Sequence, residues 1–168
     1  MRSRMRWTGV AIVALVALLA AHLYSRIPDS PERALAAFNQ EGGAEDQLMD
    51  PLILAGSEVI PLIEEDLVNP NVPRRRYAIG ALGNIGNRAA LRVLQRILGS
   101  RAEPDYIRCD ALTSIALIDR PAGLQAANTY GQDGECLTEL HEDLNHRYDA
   151  WRDSVKRTYI DALLGRHG

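Results

Sequence analysis

The pattern Arg75-x-x-Ala78-x-x-Ala81-Leu82-Gly83-x-Ile85 returns 33 residues later as Arg108-x-x-Ala111-x-x-Ser114-Ile115-Ala116-x-Ile118. Self-similarity at this period belongs to stacked helical hairpins, because each unit is too small to bury its apolar face alone and must cover it with a neighbour. The chain is therefore expected to be all-α, a short α/α superhelical solenoid. Its nine aromatic residues in 168, beside an abundance of Leu, Ile and Ala, suit a core of that kind.

Turn and cap signals divide the chain into helices. Ser30-Pro31-Glu32 supplies a cap, a first-turn proline and an acid for a short helix to about Asn39, which Gly42-Gly43 breaks. A second helix is expected over about Ala44 to Ala55, ending at Gly56. Ser57 then caps a third that carries Val59, Ile60, Leu62, Ile63 and Leu67 inward, with Pro61 tolerated near its start. After the turn Asn69-Pro70-Asn71-Val72-Pro73, one hairpin pairs 73–85 with 88–98, divided by Gly86 and Asn87, and the next pairs 105–118 with 121–130. A shift of 31 lays Ile60, Ile63 and Leu67 over Leu91, Leu94 and Leu98, so a degenerate copy precedes residue 70. About two and a half hairpins is marginal for such an array, and caps are needed.

The C-terminal cap is expected from Cys136 to about Leu164, a stretch without Gly or Pro. Leu137, Leu140, Leu144, Tyr148, Trp151, Val155 and Tyr159 recur there at spacings of three and four, the mark of one long amphipathic helix, or of two with a bend. The stripe either covers the open end of the array or docks a partner or a second copy.

The N-terminus differs in kind. Arg2, Arg4 and Arg6 precede the sixteen residues Thr8 to Leu23, which carry no formal charge unless His22 is protonated. Trp7 to Tyr24, as a helix, gives about 27 Å against a hydrocarbon core of about 30 Å, with aromatics at both ends. The first reading is a retained transmembrane anchor over residues 1–26 in a cytoplasmic (inner) membrane, with Ala17 and Ala21 as a packing pair. A cleaved signal peptide and a buried soluble helix are the alternatives. The arginine bias would leave the N-terminus cytoplasmic and the rest on the outer, periplasmic side. From Ile27 onward 15 Lys and Arg stand against 22 Asp and Glu, a net −7 that argues against nucleic acid as the main partner. The remaining divisions are a linker and N-terminal cap at 27–46, repeats at 47–131 and the C-terminal helix at 132–168.

Leu54-Ala55-Gly56-Ser57-Glu58-Val59-Ile60-Pro61-Leu62-Ile63, followed by Asn69-Pro70-Asn71-Val72 and the Arg75 to Gly86 pattern, resembles the HEAT-like repeats named after phycobilin lyases. The resemblance spans about residues 47 to 130. It implies a right-handed superhelix used mainly for protein interaction and, in a few branches, for chromophore attachment. It also implies that Arg75 and Arg108, at matching positions, are inter-repeat ladder arginines with a structural role. Small residues at Ala78, Gly80, Ala81 and Gly83 fit helices that approach closely, since a helical Gly otherwise costs about 1 kcal/mol relative to Ala.

Little in the chain suggests catalysis. It has no Gly-rich phosphate loop, nucleophile elbow or Cys-x-x-Cys. His141 and His146 are five apart, so on a helix their rings diverge by about 140° and cannot share a zinc ion as a pair four apart would. No catalytic, metal-binding or cofactor-binding residue is assigned, and no cofactor is expected. Cys109 and Cys136 either form a disulfide, closing a loop of about 28 residues for roughly 3 to 4 kcal/mol, or remain separate thiols. Outward positions on the second helix of each hairpin, Glu64 and Glu65, then Arg92, Gln95 and Arg96, then Gln125 and Asn128, predict a partner-binding column on the concave side. Arg74-Arg75-Arg76 is expected to match either a partner or the acidic run Glu64-Glu65-Asp66. The functional expectation is a non-catalytic, membrane-anchored adaptor or scaffold that binds a protein partner, with homo-oligomers open. An accessory subunit of a larger membrane complex and a cofactor lyase or chaperone are the alternatives.

Overall fold

The computed structural model describes residues 2–40 and 45–166, with side chains described from Ile12 onward except at Asp46. Every regular element among the described residues is helical. Gly42, Gly43 and Ala44, to which the sequence assigned a helix break and a helix start, lie outside the described residues.

Helix α1 spans Arg2–Ser25, and Ile12, Val13, Leu15, Val16, Leu18 and Leu19 on it are all exposed. Among the described residues no helix is long and apolar enough to cross a membrane. This corrects the expected transmembrane anchor and with it the placement in a cytoplasmic membrane. Among the described side chains the run Ile12 to Leu23, which includes His22, covers about 18 Å, short of a hydrocarbon core of about 30 Å. The side chains of Arg2, Arg4, Arg6 and Trp7, on which the orientation argument rested, are outside the described set.

Helix α2 (Pro31–Asn39) begins as its cap signal predicts, with the Ser30 hydroxyl accepting from the Arg33 N–H at 3.2 Å. The first hairpin joins α3 (Asp50–Ala55) to α4 (Ile60–Asp66) through Gly56, whose φ of 67° suits a residue without Cβ. A tight 3-10 turn over Gly56–Val59 replaces the expected cap at Ser57, and Pro61 falls in the first turn of α4. The second hairpin pairs α5 (Arg75–Ile85) with α6 (Leu91–Gly99). Gly86 ends α5 at φ 75°, and the Asn87 side chain accepts from the Ala89 N–H at 2.9 Å, starting a 3-10 turn that leads into α6. The third pairs α7 (Asp105–Ile118) with α8 (Arg120–Tyr130), where Asp119 accepts from the Ala122 N–H at 3.1 Å.

Helix α7 is the hub and packs on α5, α6, α8 and α9 (Glu135–His146). Ile107, Ala111, Leu112, Ile115 and Ala116 are buried on it, and the Ser114 hydroxyl, fully buried, donates to the Ile79 carbonyl of α5 at 2.9 Å. Such satisfaction is what allows a hydroxyl in a core. The repeat's small residues set these approaches: a Cβ on Gly83 would stand 2.7 Å from the Ser114 Cα, and one on Gly123 would stand 2.6 Å from the Ala116 Cα.

The C-terminal region departs from the expected long helix. It forms α9, then α10 (Tyr148–Val155), then α11 (Tyr159–Leu164). Leu137, Leu140 and Leu144 bury α9 against α7 and α8, as an end cap should. The chain then turns back along the array. Tyr148 donates to the Ala116 carbonyl at 3.1 Å, Lys156 to the Asn84 carbonyl at 2.9 Å, and the Arg157 N–H to the Asn84 side chain at 2.7 Å. Ala162 of α11 packs with Ile53 and Leu54 of α3. A strap thus crosses the C-terminal ends of α7 and α5 and reaches α3, and the apolar stripe fails beyond Trp151, leaving Val155 and Tyr159 exposed.

The strap is fixed by a buried carboxylate. Arg157 donates to both oxygens of Asp50, the Nη2 bond being 2.8 Å, and Arg26 approaches the same group at 3.8 Å. Asp50 and Arg157 side chains are only 6% and 7% exposed. Arg157→Met is expected to lower stability by about 3 to 5 kcal/mol, because it leaves the Asp50 carboxylate buried without its main partner. Adding Asp50→Asn should recover part of that loss, and a urea-denaturation double-mutant cycle with no coupling would contradict the clamp.

The glycines give a sharper contrast. Gly83→Ala should destabilise by about 1 to 3 kcal/mol through overpacking against backbone. Gly80→Ala meets only the flexible Met49 sulfur at 2.9 Å and gains helix propensity. Thermal melts should therefore show a clear loss at Gly83 and little or none at Gly80; equal losses would refute the close-approach account.

Candidate functional site

The second helices of the hairpins, α4, α6 and α8, carry the predicted binding column. Helix α6 buries Val93, Leu94, Ile97 and Leu98, which leaves Arg92, Gln95 and Arg96 outward. On α4, Ile60, Ile63 and Leu67 are buried and Glu65 is exposed. Between these two helices lies a cleft of about 460 Å³ lined by Pro61, Glu64, Glu65, Val68, Arg92, Val93 and Arg96. Four of the seven predicted residues, Glu64, Glu65, Arg92 and Arg96, thus meet in one place. Gln95, Gln125 and Asn128 are exposed but do not line the cleft. Asn128 is engaged by α9, its side-chain oxygen 3.0 Å from His141 Nε2.

Arg92 is 90% exposed and reaches Glu64 at 3.9 Å, too long for a hydrogen bond. Glu64 is recessed, with 24% of its side chain exposed. Val68 is 70% exposed at the rim. The sequence reading passed over Pro61 and Val68, although both share a face of α4 with Glu65 by their spacing of three and four.

Arg75 and Arg108 occupy equivalent and buried positions. Arg75 donates to the Leu67 and Asn69 carbonyls at 3.0 and 2.9 Å and pairs with Glu103 at 2.6 Å. Arg108 donates to the Leu98 carbonyl at 2.8 Å and pairs with Asp133 at 2.7 Å. Each therefore satisfies the end of the preceding hairpin's second helix and holds a carboxylate from the linker that follows its own hairpin. The triple-arginine run makes no match with Glu64-Glu65-Asp66. Arg74 donates to the Phe38 carbonyl, and Arg76 lies 3.3 Å from Asp110, whose carboxyl is pushed above its ordinary range by burial against the opposing pull of Arg76.

His146 lies 3.6 Å from Glu142, while His141 faces Asn128, so the two rings have separate partners. Among the described residues no group of three or more His, Cys, Asp or Glu is placed to hold a metal ion. Cys109 and Cys136 are joined as a disulfide with Cα atoms 6.0 Å apart. The bond staples α7 to the first turn of α9.

No protein-family model matches this chain, and neither the curated proteins nor the solved structures compared with it give a match.

Replacing both cysteines by Ser is expected to cost about 3 to 4 kcal/mol, from the loop-closure entropy of the intervening segment. Urea unfolding of the wild type with and without a thiol reductant should reproduce that difference, and an unchanged midpoint on reduction would remove the staple from the stability account.

Proposed function

We propose that this chain is a non-catalytic adaptor of the HEAT-like repeat type that holds a partner protein on its α4 and α6 side. The observation that carries the reading is the cleft itself. Consecutive second helices bring Glu64, Glu65, Arg92 and Arg96 together around exposed Val68. Charged groups beside a small apolar surface suit recognition of a protein segment. Elsewhere Arg75 and Arg108 are paired with carboxylates and the buried Ser114 hydroxyl with a carbonyl, all within the frame of the array. The net −7 from Ile27 onward disfavours nucleic acid as the partner.

The reading predicts a face-specific contact in the cell. A photo-crosslinking amino acid placed at exposed Gln95, in the full chain, should trap a discrete protein adduct. The same probe at exposed Asp153 on α10 should not. No adduct at either position, or one at Asp153 alone, would overturn the proposal.

A further inference from the structure

We infer that the α4 and α6 cleft recognises an acidic segment of the partner protein, one that places two carboxylates about a helical turn apart beside an aliphatic residue. The inference rests on the adaptor reading and specifies the chemistry of its site. Arg92 and Arg96 are four residues apart on the outward side of α6, and Arg88 precedes them on the 3-10 turn, in a domain whose net charge is −7 from Ile27 onward. Their commitments differ. Arg88 pairs with Asp119 at 2.7 Å and belongs to the hairpin corner. Arg92 meets its one carboxylate at the outer limit of an ion pair and is 90% exposed, so its donors remain available. Arg96 has no ion pair among the described residues.

Two arginines four residues apart, about 6 Å in rise along a helix, match carboxylates three or four residues apart on a partner helix. Arginine's planar fork is suited to taking each carboxylate through two parallel N–H bonds. Pro61 and exposed Val68 on the opposite wall provide apolar surface for one aliphatic side chain. Glu64 sits lower, only 24% exposed, while Glu65 on the far wall disfavours an acidic residue there and fixes which side of the segment faces α6. The cleft is therefore polarised across its width.

The test selects random peptides of about twelve residues, roughly three helical turns, on the purified, disulfide-intact full chain. Enriched peptides should carry two acidic residues three or four apart next to an aliphatic one. Their affinity should fall by about tenfold or more in Arg92→Glu/Arg96→Glu, and less in Arg92→Lys/Arg96→Lys. It should also weaken as ionic strength rises. A circular-dichroism melt unchanged by the substitutions excludes unfolding as the cause. Enriched peptides without acidic pairs, binding that survives the charge reversal, or failure to enrich any peptide would each overturn the inference. The Gln95 crosslink keeps the two readings separable. If an adduct still forms in Arg92→Glu/Arg96→Glu, the adaptor reading stands and the acidic-segment inference falls; if none forms even in the wild type, the adaptor reading has failed.

Discussion

Asp50 is a carboxylate with almost no access to water at the start of α3, and the C-terminal strap is held against the first hairpin through it. A stack of helical hairpins has two open ends, and in a short stack those ends are a large share of the surface to be covered. This chain covers one end with α9 and sends the following residues back to the other. Arg157 arrives at Asp50 from a position 107 residues away in sequence, and Arg26 approaches from the N-terminal side. A buried ion pair offers little net stability compared with apolar packing of the same volume, because both charges lose their hydration. Its physical value is selectivity of docking: misplacing the strap would strand a carboxylate and a guanidinium, so one seat is strongly preferred.

The same use of arginine recurs inside the array. Arg75 and Arg108 each take up a carbonyl at the end of the preceding hairpin and a carboxylate beyond their own, so that one side chain ties three successive pieces of chain. Helix termini leave carbonyls without partners, and a guanidinium with five donors suits a place where several acceptors converge. The disulfide from Cys109 to Cys136 extends the ladder by a covalent link from the last repeat helix to its cap. Close contact then follows from small residues, Gly83 against Ser114 and Gly123 against Ala116.

What the sequence reveals and what it hides divide along the range of the interactions involved. Ser30, Gly56, Gly86, Asn87 and Asp119 act on their own neighbours, so most helix boundaries from α2 to α8 are legible as local chemistry. The repeat arginines are legible because the period repeats them. The break at Arg147 is not, since no Gly or Pro marks it, whereas the one at Lys156-Arg157 is followed by a local signal, the capping box of Thr158 and Asp161 that starts α11. At Arg157 the chain also makes hydrogen bonds to Asn84 and Asp50, both far away in sequence, which local patterns do not reveal. The transmembrane reading is overturned because no described helix is long and apolar enough to cross a membrane. In the binding column, Glu64, Glu65, Arg92 and Arg96 meet at one cleft and Gln95 does not, while Asn128 faces His141 of α9.

Two sets of arginines in this chain differ by burial. Arg75, Arg108 and Arg157 are sequestered, with directional hydrogen bonds to carbonyls and carboxylates that hold the frame. Arg92 and Arg96 stand on a helix whose opposite side is packed into the core, which fixes the helix while leaving their own ends in water. A rigid base with solvated charged tips lowers the ordering cost of binding, because the backbone is already placed and only the side-chain rotamers must be selected. The two sets meet at the ends of the same helices: Arg75 ties the end of α4 to the linker after α6, and those two helices carry the walls of the cleft.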